Sequence, residues 1–362
     1  MDPFAAGTLP AAADLPPKPS ERLLIEAWHG RLKEAAPQRV SCTSQGRGQL
    51  AREIAARSTS IHVACYFIDA YLASLAHDFG DAMSNLVIRC EPDFATQTIN
   101  LAALPLIAQG DAEFTRELLQ QAYERLDLGG VLLASTDNPR DTWLGEVLQT
   151  FGPPPRRETF ADGAVYELIK SAPLRRVRDF TARFAFRDHG RLFDVVSRPG
   201  TFSHRRIDPG ARHLINTLAL IDGDRVLDIG CGWGAVSLAA AAHGPNVTVE
   251  AIDSNTRAIE CVRVNAAANG LGAQIEARVE AFGRVTTPGA FDVALGNPPY
   301  YADFRIARLF AEAAFGALRP GGRLTFVTKF PTWYLERLPA RFEAVEAVPI
   351  KGYHIVRGRR RS

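Results

Sequence analysis

VLDIGCGWGAVSL, from Val226 to Leu238, runs from an apolar stretch through Asp228 and three alternating glycines into a second apolar stretch. A strand ending in an acidic side chain, a Gly230-x-Gly232-x-Gly234 turn and a following helix make a nucleotide-type loop, in which the glycines let a ligand approach the backbone. Asp228 then offers a carboxylate to a cationic amino group. Taken alone, the turn is equally an ordinary strand-to-helix connection. Nineteen residues beyond Gly234, however, the next apolar run ends in Ile252-Asp253-Ser254, where an acidic side chain can hold both hydroxyls of a ribose. A dinucleotide-binding chain would look the same to this point.

What separates the two is a later strand, Phe291 to Leu295, opening into Gly296-Asn297-Pro298-Pro299-Tyr300. Ligands of open α/β sheets bind at the carboxyl edge reached here. Two prolines stiffen the backbone and remove two donors, leaving carbonyls as acceptors. The Asn297 amide oxygen and the Pro298 carbonyl can accept from one NH2 group, and Tyr300 can stack on a planar substrate. A planar amine is a poor nucleophile because its lone pair is delocalised into the ring. Two aligned acceptors favour its tetrahedral, nucleophilic form without a metal or a covalent intermediate.

The chain also repeats itself. Val40 to Ala51, VSCTSQGRGQLA, matches the quoted stretch, with Gly46 and Gly48 facing Gly232 and Gly234. Ile99 to Thr136 lies over Phe291 to Thr328 without a gap, so Gly129-Gly130 matches Gly321-Gly322, and Thr142-Trp143 faces Thr332-Trp333. In the second copy the pattern predicts strands over 225–229, 247–252, 291–295 and 323–328, with helices over 235–243, 256–269 and 306–318. The fold class is α/β: two tandem Rossmann-like, doubly wound domains joined by a β-hairpin linker in which 181–186 and 192–197 flank an Asp-His-Gly turn. The expected divisions are a disordered leader over 1–19, a first domain over 20–172, a linker over 173–200 and a second domain over 201–362.

Composition narrows the setting. With 362 residues, 46% hydrophobic and 23% charged, the chain reads as a globular protein of about two domains. No apolar run reaches the roughly 18 residues of a membrane span, and the N-terminus lacks the basic start and apolar core of a secretory signal. Five scattered cysteines without a C-x-x-C pair point to a reduced, cytoplasmic protein with no metal site. Cys231, inside the glycine loop, reads as a small packed residue. His189, His204 and His354 are isolated in sequence and read as surface or hairpin residues. Net charge is only +2, but ten arginines lie between Leu174 and Arg212, Arg205 and Arg206 among them, and the tail adds Arg357, Arg359, Arg360 and Arg361. Both segments could follow a phosphate backbone, or form a solvated face and a loose tail. Trp333 suits either the core or a rim near the substrate.

The Asp228-to-Gly234 loop, Asp253 and Asn297 to Tyr300 resemble the motifs of class I S-adenosylmethionine-dependent methyltransferases acting on planar nitrogens. Pro199-Gly200-Thr201-Phe202-Ser203, with Asp208-x-Gly210 and Leu214, narrows the resemblance to the ribosomal RNA guanine-N2 methyltransferases of the RsmC and RlmG type, tandem duplications with a degenerate first copy. That resemblance implies S-adenosyl-L-methionine as cofactor, with Asp228, Gly230, Cys231, Gly232 and Gly234 around its methionine end. It places Asp253 and Ser254 at the ribose and Glu280-Ala281 at the adenine, Glu280 standing where the family usually has Asp. Phe202 and Ser203 would close over the site. Asn297, Pro298 and Tyr300 are the implied catalytic residues, with Pro299, Tyr300, Arg205 and Arg206 binding substrate. Asp208 either touches ligand or caps the helix beginning at Pro209. The implied partner is ribosomal RNA or a ribosomal subunit, engaged by a monomer.

In the first copy Cys42 stands at the place of Asp228, Ser44 at that of Gly230, Tyr66 near that of Asp253, and Pro105-Leu106 at that of Asn297-Pro298. It is expected to bind no cofactor and to dock substrate or support the second copy. Adenine N6 and a protein glutamine amide remain alternative acceptors. A non-catalytic RNA-binding or assembly protein is the alternative of another class, against which Asp228, Asp253 and Asn297 speak.

Overall fold

The computed structural model describes residues 16–31, 37–299 and 304–362. These fall into two compact units that meet in sequence between Phe180 and Thr181. The first contains α1 (Pro19–Gly30), β1 (Arg39–Thr43), α2 (Gln49–Ala56), β2 (His62–Phe67), α3 (Ala70–His77), β3 (Leu86–Cys90) and β4 (Ile99–Leu106). It continues with α4 (Ala112–Arg125), β5 (Leu126–Thr136), α5 (Trp143–Gln149), β6 (Arg156–Phe160) and β7 (Gly163–Ile169). The second opens with a hairpin, β8 (Ala182–Asp188) and β9 (Arg191–Ser197). There follow α6 (Pro209–Ile215), β10 (Arg225–Ile229), α7 (Ala235–Ala241), β11 (Thr248–Asp253), α8 (Thr256–Ala268) and β12 (Ile275–Val279). It ends with β13 (Phe291–Gly296), α9 (Arg305–Ala317), β14 (Leu318–Thr328), α10 (Pro331–Arg337), β15 (Phe342–Ile350) and β16 (Tyr353–Arg360).

The sheets run β3-β2-β1-β4-β5-β7-β6 and β12-β11-β10-β13-β14-β16-β15. Renumbered within each copy, both read 3-2-1-4-5-7-6, with five parallel strands and an antiparallel seventh between the fifth and sixth. These are two class I methyltransferase-like α/β units, and the duplication read from the glycines extends to the whole topology. Registers sharpen the alignment by one position. Cys42 pairs with Cys65 as Asp228 pairs with Ala251. Phe67, one residue past Tyr66, therefore holds the place of Asp253.

In the second unit the central strands are apolar on both faces, as covered parallel strands require. Val226, Val249, Val293, Leu295 and Val327 pack with α7 and α8 on one side, while Leu227, Ile252, Ala294, Leu324 and Phe326 pack with α9 and α10 on the other. The hairpin joins the first of these cores: Phe186 and Phe193 stack with centroids 4.8 Å apart and lie in one cluster with Trp233 and α7. Asn265 of α8, fully buried, fixes it by donating to Val196 O and Trp233 O and accepting from Val196 N.

The arginine tail is not loose. Arg357, Arg359 and Arg360 belong to β16, paired on both sides; Arg357 bridges to Glu346 at 3.6 Å and Arg360 lies over Phe315. Pairing with β14 and β15 orders this segment. Among the described residues no helix is long and apolar enough to cross a membrane.

Candidate functional site

Strand β10 delivers Asp228 to the carboxyl edge of the second sheet, and the glycine loop turns the chain into α7. Gly230, Gly232 and Gly234 all have positive φ. A Cβ on Gly230 would lie 2.5 Å from the Phe310 ring, so packing against α9 demands glycine there. At Gly232 the reason differs: among the described residues a Cβ would meet only the Phe202 carbonyl, at 4.0 Å, and Gly232 itself lines a cleft. That cleft, about 440 Å3 including its open mouth, is walled by the Gly230–Trp233 loop, Phe202 and Ser203 from the segment after the hairpin, Asp208, and Asn297.

Asp228 also lines the cleft and is only 2% exposed. Its carboxylate accepts a 2.5 Å bond from the Ser237 hydroxyl, and among the described residues no cation pairs with it. Burial raises its pKa to about 7, opposed by hydrogen bonds from Ser237 and reinforced by the charge of Asp253. A buried carboxyl held in this way favours an incoming cationic group. Asp253, at the end of β11, accepts from Gly232 N through one oxygen and from Asn255 N through the other, both at 2.9 Å. The second acidic group thereby orients the glycine loop from the neighbouring strand. Burial also pushes the Cys231 thiol well up, which suits a packed residue and not a thiolate.

At the end of β13, the Asn297 amide nitrogen donates to Asp208 Oδ2 at 2.8 Å, while the same Asp208 oxygen accepts from Ala211 N and caps α6. Asp208 is thus both a cap and the anchor of Asn297. With its NH2 committed, the amide offers its oxygen as an acceptor. Gly210 is needed for this approach: a Cβ there would stand 2.9 Å from Asn297 Oδ1 and 2.8 Å from Asp208 Oδ2. Pro298 is buried and Pro299 half-buried after it, whereas Tyr300 lies outside the described residues. Beyond it, Phe304 stacks face to face on Trp333 with centroids 5.5 Å apart and meets Phe330 edge-on, making an aromatic wall. Trp333 is half-buried and, with Phe304, packs against the core beneath α9 and α10.

The segment 199–205 is pinned from α8. Arg257, fully buried, donates to Pro199 O at 2.9 Å, and Asn255 donates to Gly200 O at 2.7 Å. Trp233 Nε1 reaches Ser203 O at 3.3 Å. Ser203 and Arg205 adopt left-handed backbone conformations here, a strained arrangement of the kind found beside ligand sites. Phe202 is left 64% exposed at the mouth.

Other expected residues sit away from the cleft wall. Glu280 bridges to Arg278 at 2.9 Å and accepts from Phe282 N at 2.7 Å, beside a half-buried Ala281. Ser254 follows Asp253 into the α8 cap, and Gly234 meets Val262. Arg205 and Arg206 are exposed. Of the arginine-rich stretch, Arg198 bridges to Glu260 at 2.5 Å, while Arg175, Arg176, Arg183 and Arg187 are exposed and pair with no carboxylate among the described residues. The supporting roles of Ser237, Asn255 and Arg257, and the bond of Asp208 to Asn297, have no signature in the sequence. Only Asp208, three residues before Ala211 and next to a proline, carried a local signal, as a cap.

Comparison with known proteins gives a family match and several similar chains. Residues 193–357 match the family model described as the methyltransferase small domain. Proteins named ribosomal RNA small subunit methyltransferase C are similar: that of Shewanella loihica at 28% identity over 49% of this chain and 52% of its own, and that of Klebsiella pneumoniae at 33% over 44% and 46%. The Pseudomonas entomophila protein of that name is 29% identical over 66% of this chain and 73% of its own. The chain spans about half the length of the first curated relatives it matches. A solved structure described as the T. thermophilus 16S rRNA N2 G1207 methyltransferase (RsmC), in complex with AdoMet and guanosine, superposes with a TM-score of 0.79. It covers 95% of this chain and 92% of that one at 21% identity, a likeness of fold.

Proposed function

On the match of residues 193–357 to the methyltransferase small domain family, we propose that the chain transfers a methyl group from S-adenosyl-L-methionine to the exocyclic N2 amine of a guanine in ribosomal RNA. The observation that carries this reading is Asn297, whose amide nitrogen is held by Asp208 so that its oxygen is left to accept from an amine at the edge of the cleft. The relatives' common name and the AdoMet and guanosine of the T. thermophilus structure support the same assignment.

The residues present fit the cofactor. Asp228 is a buried carboxyl without a cation among the described residues, suited to an amino-acid ammonium, and the bare backbone at Gly232 leaves room for close approach. Asp253, at the end of β11, is assigned to the ribose in this reading, and Phe202 and Ser203 border the cleft. When bound, S-adenosylmethionine supplies a methyl carbon activated by a sulfonium. The chain's own part is to hold the acceptor. Asn297 Oδ1 and the Pro298 carbonyl accept the two amine hydrogens and localise the nitrogen lone pair, a preorganised electrostatic contribution. Pro299 and the Phe304–Trp333 pair flank the flat base, on which Tyr300 is the expected stacking partner, and the base must leave its own stack to reach the cleft. Arg205, Arg206 and the unpaired arginines meet phosphates. The first unit, lacking these groups, has a docking or supporting role.

The test is transfer of labelled methyl to ribosomal subunits, naked ribosomal RNA and whole-cell protein, followed by nucleoside analysis. Label recovered as N2-methylguanosine supports the reading; label in adenine or in protein would reassign the acceptor.

A further inference from the structure

Outside the cleft, three side chains with ligand chemistry converge where no role has been assigned. Asp188 ends β8, and His189 with Gly190 forms the two-residue turn of the hairpin, both at positive φ (+43° and +80°). His243 follows the end of α7. Although the two histidines are 54 positions apart in the chain, their rings come within 5.5 Å at an angle of 71°. One ligand atom from each of Asp188, His189 and His243 lies within 4.8 Å of the other two.

The geometry points to a binding site for a divalent transition cation of the zinc class, held by Asp188, His189 and His243 and fastening the hairpin turn to the end of α7. Two further observations support it. The His243 Nε2 atom is buried and has no hydrogen-bond partner among the described residues, a state that costs free energy unless something binds there. No arginine or lysine among the described residues pairs with the Asp188 carboxylate either.

Ligand type selects the ion. Two imidazoles and one carboxylate suit zinc and its borderline neighbours, whereas magnesium and calcium favour oxygen alone. Bonds of about 2.0–2.2 Å in a tetrahedron put ligand atoms roughly 3.3 Å apart, so a modest rotation of the exposed His189 ring closes the set. Water completes the fourth position on the open side. The site is independent of the proposed methyl transfer, since α7 separates it from the glycine loop by about 10 Å of helix. It replaces the sequence-based expectation of no metal at this one place.

The experiment uses untagged full-length protein, stripped with chelator and titrated with zinc by calorimetry, with cobalt as a spectroscopic probe. One zinc per chain at micromolar concentration is expected, with a cobalt spectrum lacking thiolate charge-transfer bands. His189→Asn suits the left-handed turn and should leave the melting temperature of the metal-free protein unchanged. It and His243→Gln should each weaken zinc about tenfold or more, and the rise in melting temperature on adding zinc should vanish in both. Absence of zinc binding would overturn the proposal. So would unchanged affinity in both variants, or thiolate bands, either of which would assign the ion to other residues.

Discussion

The two glycine loops occupy the same place in the same strand order, but their donors and acidic groups are used differently. In the first, Ser44 accepts from Gly46 N and Gly48 N and donates to the carboxylate of Glu21, which also accepts from Leu50 N in the first turn of α2. Glu21 comes from α1 and is fully buried; burial raises its pKa while these hydrogen bonds lower it. Gln45 donates to the Pro105 carbonyl, at the place corresponding to Asn297. Loop donors and helix N-terminus are thus satisfied from within the fold. In the second loop, Asp228 lies buried without a cation among the described residues, and Asn297 is oriented by Asp208. Glycine spacing therefore creates only the backbone approach. The acidic strand ends and the amide decide whether a ligand can use it.

The strongest way to break this contrast is at Asn297. Asn297→Ala should lower single-turnover methyl transfer by about 10²–10³-fold while cofactor affinity, read by calorimetry, stays within about twofold. Gly210→Ala should move activity in the same direction by displacing the amide from behind. Full activity in Asn297→Ala would remove the amine-holding role.

Asp228→Asn sharpens the contrast in both directions. Cofactor affinity should fall roughly 10²-fold, as expected when one partner of a buried charge pair is removed. Stability of the ligand-free protein should rise instead. Asp228 titrates at about 7 when folded but near the ordinary aspartate value of 3.8 when unfolded, so the folded state holds an extra proton between those limits. Stability is therefore lost as pH rises from about 4 to about 7, and the penalty above 7 is on the order of 4 kcal/mol. Urea unfolding at pH 8 should show the variant more stable, with little difference at pH 4. In the wild type, cofactor affinity should fall about tenfold per pH unit below 7, because the ammonium requires the ionised form.

Smaller effects belong to the first loop and the arginines. Glu21→Ala should destabilise the chain by about 2 kcal/mol by stranding buried donors, without creating a second cofactor site, because Cys42 and Phe67 supply no carboxylate. Replacing Arg183 and Arg187 by alanine should reduce the salt slope of RNA binding by less than about one per residue. An unchanged slope would return these two residues to a solvated face.

The parts legible in the sequence were those written in local periodicity. Apolar runs gave β10, β11 and β13 to within a residue, and the Gly-Gly pairs placed the equivalent strands β5 and β14 in register. Asp228, Asp253 and Asn297 stood at strand ends, where spacing alone brings them to one edge. What stayed hidden depends on packing across the sheet. Asp208 reaches Asn297 across 89 positions, Arg257 reaches Pro199 across 58, and Glu21 reaches its loop from a helix with no glycine to announce it. The tail arginines misled because charge obscured the alternating pattern of β16, whose partners were β14 and β15.

Counting cofactor sites on the intact chain tests the contrast between the loops most directly. Calorimetric titration of full-length protein with S-adenosylmethionine should give one site per chain, abolished or severely weakened by Asp228→Asn and unaffected by Glu21→Gln. Two sites per chain, or one that survives the loss of Asp228 with its affinity intact, would contradict the account.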